Sequence, residues 1–309
     1  MRPKVSGNHI GWPEPFDPQK HARDTSKSPD ILCFHSVYSP KLAAFMANDT
    51  FFLTAVRDPF TQLVSTYVYS NWLICSRKPL SALISKAASN QYVCDTPLHN
   101  PTMFDLGYPM NAMSDLSRVD EYITMLDERF HLVIVVEYFD ESLIVLRDML
   151  NWKNHDILYF SKNIRLKNMT SLRYKNVTGG VGVDVSDTDD DRKQVYEVMQ
   201  ADSRLYFHFK RKLERTIADN KEYIEKEVAE LKALRDQWTV YCIAAIKPAA
   251  QIKVDMFHPF GNGAFGYLLT NEGLKNETCI NLARVELSFV TEINNKALSF
   301  YYIHWQHLY

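Results

Sequence analysis

The chain has 309 residues, 46% of them hydrophobic, with 17 Tyr, 17 Phe and five Cys, enough for one large domain or two small ones. Its formal net charge is −2, so no basic face supports bulk binding to nucleic acid or to an anionic membrane. No run of ~18 apolar residues is present to span a bilayer, and the opening MRPKVSGNHIGWPEPF lacks the apolar centre of a signal peptide. Taken alone, these features describe a soluble, cytosolic chain.

Residues 1–30 are rich in Pro, Lys, Asp and Ser without a sustained period, and read as an irregular lead-in. Ile31 to Phe34 is a short apolar run, predicted as a strand with His35 at its end and Cys33 as a buried thiol. A short helix over Lys41 to Met46 follows. Phe51 to Val56 is then apolar or β-branched throughout, stops at Arg57-Asp58-Pro59, and gives way to a helical pattern carrying Leu63, Val64, Tyr67 and Val68. The spacing predicts a buried strand, a charged turn and a helix. Asp58 suits the cap and Pro59 the first turn, where its missing N–H costs nothing. Arg57 falls at the carboxyl end of the strand, where open α/β sheets bind ligands. Ser65 lies seven residues past Asp58, about two turns at ~3.6 residues per turn, on the same side of the helix. A guanidinium, a hydroxyl and a helix N-terminus facing one crevice would suit a phosphate. On spacing alone, a structural Arg–Asp turn with a helix-surface serine fits equally well.

Residues 75–115 have weak periodicity, with a small helix over Ser81 to Ala88 and an aromatic turn over Met103 to Pro109. So long an excursion often covers a substrate site. Ser114 or Asp115 caps a helix bearing Leu116, Val119, Tyr122, Ile123, Leu126 and Phe130 on one face. His131 to Phe139 is a second buried strand, and Asp140 is expected to cap the helix after it. The order predicts an α/β fold, a parallel sheet with helical crossovers and flanking helices. Residues 161–192 are polar and glycine-containing, and read as a lid or a surface linker. A helix begins near Asp189, where acidic residues suit the positive end of the dipole. Leu205 to Trp238 carries a long amphipathic pattern with a break near Asp219-Asn220. The tail from Cys242 is read as a subdomain with helical spacing over Leu282 to Tyr302. The expected organisation is a lead-in over 1–30, an α/β core over 31–215 and a helical C-terminal part over 216–309.

The chain has no GxxxxGK[ST] loop, no GxSxG elbow, no HExxH and no clustered Cys/His, which excludes an ordinary nucleotide-triphosphate loop, a hydrolase elbow and a zinc site. Cys33, Cys75, Cys94, Cys242 and Cys279 show no metal-ligand spacing. Four Asn-x-Thr sequons, at Asn48, Asn168, Asn176 and Asn276, point instead to a secretory lumen. Among ten histidines, His35 stands out because it ends a strand one crossover before Arg57. A neutral imidazole there could serve as a general base toward a hydroxyl, although a surface or core histidine with satisfied hydrogen bonds is the commoner case.

The stretch NDTFFLTAVRDPFTQLVSTYVYS resembles the 3′-phosphate-binding segment of the galactose 3-O-sulfotransferases, the family that includes galactosylceramide sulfotransferase. Its members show NDT, an apolar strand, an R-(N/D)-P turn and a serine eight residues after the arginine. Here these are Asn48 to Thr50, Arg57-Asp58-Pro59 and Ser65, with Thr66 where a second serine is common. Arg129 to Leu146 is similar to the family's second signature strand and helix. Asn151-Trp152, Asp156 to Phe160, Phe104 to Gly107, Leu205 to Phe209, Gly266-Tyr267 and the residues around Asn276 to Cys279 follow in the family's order. The resemblance is collinear from about His9 to the C-terminus.

The resemblance implies 3′-phosphoadenosine 5′-phosphosulfate as donor, with Arg57 and Ser65 on its 3′-phosphate, and no metal. It implies the 3-hydroxyl of a terminal β-galactose, on a glycolipid or glycan, as acceptor. In-line sulfuryl transfer needs a base on the attacking hydroxyl and positive charge on the leaving phosphate, and His35 is the candidate base. It further implies a Golgi-lumen enzyme held by an N-terminal membrane anchor, and a disulfide between Cys242 and Cys279 in that oxidising compartment. Family members carry, ahead of the equivalent of Asn8 to Pro13, a membrane-spanning helix and a K-T-x-K-T-x-S-S-T-like loop for the 5′-phosphosulfate. Neither occurs in this sequence. The expectation is therefore a sulfotransferase-type fold, similar to P-loop folds, lacking its first strand and that loop. The alternative is a catalytically inactive, galactoside-binding relative.

Overall fold

Leu53–Val56 (β1) and Leu132–Val135 (β2) pair as parallel strands in the computed structural model, which describes residues 10–21, 29, 31–32, 35–69, 80–84, 92–93, 96–161, 188–259 and 264–293. The register sets Leu53 against Leu132 and Val56 against Val135, so the two strands end level. β2 is buried at all four residues, as a β-branched run covered on both faces should be. The strand predicted as buried over Phe51 to Val56 is shorter and mostly uncovered: in β1 only Val56 is buried, while Leu53 and Ala55 are exposed. Among the described residues, β2 is the only strand partner of β1. The result is a mixed α/β architecture with a small parallel sheet and many helices.

The chain divides into two compact units. Among the described residues the first comprises Ile10–Ile157 and 188–231. Its helix Pro59–Tyr69 (α1) starts as the sequence predicts: the Asp58 carboxylate accepts the Thr61 N–H at 2.9 Å and Pro59 opens the first turn. Phe60, Leu63, Val64 and Tyr67 pack with Leu80, Leu83, Ile84, Leu98, Val195 and Met199. Side chains this fully buried each contribute roughly 1.5–3 kcal/mol of transfer free energy. Leu116–Arg129 (α2) is capped by Asp115, which accepts the Arg118 N–H at 3.3 Å, and buries Val119, Ile123 and Leu126.

Four expectations shift. The strand predicted over residues 131–139 ends at Val135, because Val136–Tyr138 tightens into a 3-10 turn and Phe139–Met149 (α3) begins at once. Asp140 is consequently not the cap. It lies with Glu141 inside the first turn, where carboxylates complement the helix dipole, and Ser142 Oγ accepts the Val135 N–H at 3.2 Å. Ile31 and Leu32 form no strand, and Cys33 and Phe34 lie outside the described residues. The bridges fall at His35 and Val37 instead, the latter parallel to Pro15. The lead-in is also anchored: Phe16 is 2% exposed against Phe45, and its carbonyl accepts the Ser39 hydroxyl at 2.7 Å.

Asp189–Val198 (α4) opens on a Thr188–Asp191 capping box, and Gln200–Asp219 (α5) and Lys221–Cys242 (α6) are separated at Asn220, where the long amphipathic pattern was expected to break. Arg147, on α3, is 6% exposed yet fully engaged. It donates to Glu227 at 2.6 Å, to Asp148 at 2.6 Å, to Asn154 at 2.5 Å and to the Tyr223 hydroxyl at 2.7 Å.

The second unit comprises 158–161, 232–259 and 264–293 among the described residues. Ile243–Pro248 (β3) and Phe265–Leu269 (β4) pair antiparallel, so this tail is not wholly helical as expected. The Ala-rich β3 carries little strand signal of its own and is held by β4, which buries four of its five residues. Gly266 is needed there, since an added Cβ would lie 2.9 Å from the Phe257 carbonyl oxygen. Glu277–Ala283 (α7) is capped by Asn276, whose side-chain oxygen accepts the Cys279 N–H at 3.1 Å. A disulfide joins Cys242 to Cys279 across a Cα separation of 5.4 Å, amid Phe160, Ile252, Phe257, Tyr267 and Leu269. Residues 286–293 are helical, and the rest of the helix predicted to Tyr302 lies outside the described residues. No helix among the described residues is long and apolar enough to cross a membrane.

Candidate functional site

Because β1 and β2 are parallel and end level, the residues that follow them are brought side by side. After β1 come Arg57 and Asp58, and after β2 come Val136 and Glu137. Glu137 links the two. Its carboxylate accepts the Asp58 N–H at 3.0 Å and lies 3.4 Å from the Thr61 hydroxyl. That hydroxyl accepts Arg57 Nε–H at 3.0 Å, which fixes the direction in which the guanidinium leaves the turn.

Asp58 is 5% exposed and its carboxylate is fully occupied. Besides capping α1, it receives Arg192 Nη1 at 3.3 Å and a short hydrogen bond from the Tyr196 hydroxyl. Burial and then the Asp58 carboxylate push the Tyr196 phenol up to about 12, so it stays a donor. The Tyr206 phenol is raised by burial and by the nearby Glu137 and Asp58 charges. The first-turn donor of α1 is thus spent on Asp58, and Arg57 is the group of this turn suited to an incoming anion.

Arg57 and His35 line one crevice of about 1110 Å³. Its polar lining includes Gln62, Thr102 and Asp105. Phe51 to Val56 forms one wall, with Trp12 and Trp152 among the aromatic residues. Thr102 donates to Gln62 Oε1 at 3.1 Å, and the short helix Pro101–Asp105 is held by Asp202, which accepts the Thr102 and Met103 N–H groups at 3.0 and 2.8 Å. Burial pushes the Asp202 carboxyl up to about 6.

Asp105 reaches the crevice because the chain comes close to Tyr38. The Tyr38 N–H donates to the Asp105 carbonyl at 2.8 Å. Gly107 takes a φ of +90°, and a Cβ there would lie 2.3 Å from the Tyr38 carbonyl oxygen, a position only glycine tolerates. The Asp105 carboxylate accepts the Trp12 indole N–H at 2.9 Å. It retains accessible surface, yet protein on most sides raises its pKa, opposed by the Trp12 hydrogen bond and by His35. His35 therefore has a carboxylate as its electrostatic neighbour.

Ser65 is not in this lining. It lies two turns along α1, half-buried. Asn48 is exposed in a turn before β1 and Asn276 is half-buried at the cap of α7. Asn168 and Asn176 lie outside the described residues. Among the described residues no group of three or more His, Cys, Asp or Glu side chains could hold a metal.

Sequence reasoning missed Glu137, Asp105, Arg192 and Tyr196. A signal existed for Glu137, the first charged residue after the second strand as Arg57 is after the first. Asp58's contacts with α4 have no counterpart in local sequence.

Comparison with known proteins places the chain in a family. The family described as galactose-3-O-sulfotransferase matches residues 2–297. The chain is 27% identical over 285 residues to galactose-3-O-sulfotransferase 2 of Sus scrofa, covering 85% of this chain and 67% of that protein. It is 29% identical over 231 residues to galactosylceramide sulfotransferase of Mus musculus, covering 69% and 50%, so the match spans half the length of that relative. Galactose-3-O-sulfotransferase 3 of Mus musculus is 26% identical over 285 residues, covering 85% and 63%. No solved structure matches the chain.

Proposed function

This chain belongs to the galactose-3-O-sulfotransferase family, a family of enzymes, and we propose that it transfers sulfate from 3′-phosphoadenosine 5′-phosphosulfate to the 3-hydroxyl of a terminal β-galactose on a glycolipid or glycan. The observation that carries this reading is that Arg57 and His35, an anion-binding group and a base, line one crevice at the carboxyl end of β1. A guanidinium there can take a phosphate bidentately. His35 accepts the proton of the attacking hydroxyl as the new O–S bond forms. The S–O bond to the 5′-phosphate breaks, and adenosine 3′,5′-bisphosphate leaves with the electron pair.

In this reading Arg57 holds the donor's 3′-phosphate and Ser65 supplies a hydroxyl to it once the donor is seated. On this reading the first compact unit, and not residues 31–215 as the sequence suggested, carries the sulfotransferase-type core, and the second unit, whose main segment starts at Lys232 and not at residue 216, is the C-terminal part. The sequons at Asn48 and Asn276, with the Cys242–Cys279 disulfide, support a place in the Golgi lumen, where both modifications are chemically permitted.

The experiment is a comparison of wild type with His35→Ala, reading transfer to lactose or galactosylceramide and binding of adenosine 3′,5′-bisphosphate. Loss of a general base lowers turnover roughly 10²–10⁴-fold with bisphosphate binding unchanged. Unchanged turnover would remove His35 from the mechanism. Bisphosphate and galactoside binding without any transfer would leave the chain a galactoside-binding relative.

A further inference from the structure

In the crevice lined by Arg57 and His35, Asp105 is a carboxylate to which the transfer chemistry gives no role. It is exposed. Its Oδ1 accepts the Trp12 indole N–H at 2.9 Å, and no other hydrogen bond engages the carboxylate among the described residues. A carboxylate has two oxygens and about four lone-pair positions, so most of its accepting capacity faces the crevice unused.

Several contacts hold Asp105 in place. Its carbonyl accepts the N–H of Tyr38 at 2.8 Å, which ties it to the segment that carries His35. Asp202 pins the preceding residues through the Thr102 and Met103 N–H groups. Trp12 packs edge-on against Phe104, the residue before Asp105, with ring centroids 6.4 Å apart and planes at 89°. The base, the carboxylate and the indole are thus carried by segments bonded to one another, and His35 is near enough for its charge to act on Asp105.

A carboxylate repels the donor's phosphates and sulfate, which Arg57 suits. Its match is a hydroxyl, which donates to a carboxylate in a charge-assisted bond. A pyranose has an apolar C–H face and a rim of hydroxyls, and Trp12 sets an indole beside the Asp105 carboxylate in the crevice lining. Asp49, the other carboxylate of the lining, precedes β1 and is separated from the Arg57 turn by the four residues of that strand, ~13 Å at ~3.3 Å per residue. With His35 at the reacting 3-hydroxyl, a carboxylate neighbouring His35 meets a hydroxyl on an adjacent carbon, at position 2 or 4.

We propose that Asp105 selects the acceptor, its carboxylate accepting a hydrogen bond from the galactose hydroxyl next to the reacting one. The inference rests on the sulfotransferase reading for the reaction at the 3-hydroxyl, but the contact is separately measurable. Methyl β-galactoside and its 2-deoxy and 4-deoxy analogues are the acceptors, and kcat/KM for each is compared between wild type and Asp105→Ala. In wild type one deoxy analogue should fall roughly 10–10²-fold below the parent, the range for a hydrogen bond to a charged group. In Asp105→Ala the parent should fall to the level of that analogue, and the analogue should fall little further. No penalty for either analogue in wild type overturns the proposal. So does a penalty that survives in the variant, as it would if Asp105 acted only through His35 and all three acceptors lost equally. Asp105→Asn guards against misfolding of the alanine variant: its amide oxygen still serves Trp12, an N–H₂ replaces the second carboxylate oxygen, and the penalty should shrink several-fold; an unchanged penalty overturns the proposal. If wild type sulfates no galactoside, the function reading fails by itself. Saturation-transfer NMR on the same three sugars then decides the contact: an affinity penalty that is lost in Asp105→Ala supports it, and no binding, no penalty or a penalty kept in the variant overturns it.

Discussion

Replacing Glu137 tests whether the Arg57 turn is positioned or merely present. The Glu137 carboxylate accepts the Asp58 N–H at 3.0 Å and stands 3.4 Å from the hydroxyl that orients Arg57. Two effects oppose each other on substitution. Removing a negative charge near an anion site helps an anion bind: a unit charge ~7 Å away is worth roughly 0.6–2.4 kcal/mol at effective dielectrics of 80 to 20. Removing the acceptor leaves the Asp58 N–H unpaired, at about 1–3 kcal/mol when buried. Glu137 itself is exposed, so water reaches the site and the low end applies. Glu137→Gln removes the charge and keeps an acceptor; Glu137→Ala removes both. Titration calorimetry with adenosine 3′,5′-bisphosphate should therefore rank Gln as equal to or tighter than wild type. Ala should be about tenfold weaker than Gln, since about 1.4 kcal/mol is a factor of ten. Gln and Ala binding equally would refute the idea that Glu137 holds the turn through its hydrogen bonds.

Other consequences concern stability. With the Asp202 carboxyl pushed up to about 6, the folded chain keeps a proton between pH ~4 and ~6 that an unfolded carboxyl, near ~3.9, has released. Stability from this group is therefore present below that window and lost as pH rises through it, on the order of 2–3 kcal/mol. Asp202→Asn should gain stability relative to wild type between pH 4 and pH 7 in urea melts, and a pH-independent difference would contradict this. Glu227→Ala strips Arg147 of a buried ion-pair partner, and with Asp148, Asn154 and Tyr223 still in place the loss should be about 2–4 kcal/mol; a loss under about 1 kcal/mol would show that the pair is dispensable. Cys279→Ser opens a loop with a sequence separation of 37 and should destabilise the second unit by about 4 kcal/mol by chain entropy, read as earlier exchange of the β3 and β4 amides than in wild type.

The strand, turn and helix around Arg57 were legible because each step has a local cause: a β-branched run, an aspartate able to cap, a proline fit for the first turn, then a 3.6-residue period. The break at Asn220 and the start of α4 were legible for similar reasons. Asp140 misled because the same caps suit any helix start, and the earlier end of β2 is set by the Val136–Tyr138 turn rather than by composition. The β3–β4 pair was hidden because an Ala-rich strand becomes one only when a partner covers it. The site was half legible. Residues that follow strand ends could be read from pattern, but Asp105 arrives through Gly107's close approach to Tyr38, and Tyr196 through helix packing against Asp58. Both are tertiary events with no period in the sequence.

The most direct measurement is transfer of labelled sulfate from 3′-phosphoadenosine 5′-phosphosulfate to a β-galactoside, with the product's linkage identified, for wild type and Arg57→Ala. The account predicts sulfate on the 3-hydroxyl of galactose with wild type, and a loss of roughly 10–10²-fold in kcat/KM for the donor in Arg57→Ala, since a charge-assisted contact to the donor's 3′-phosphate is worth about 1.5–3 kcal/mol. Transfer by Arg57→Ala at the wild-type rate, or no transfer by wild type to any galactoside, would contradict it.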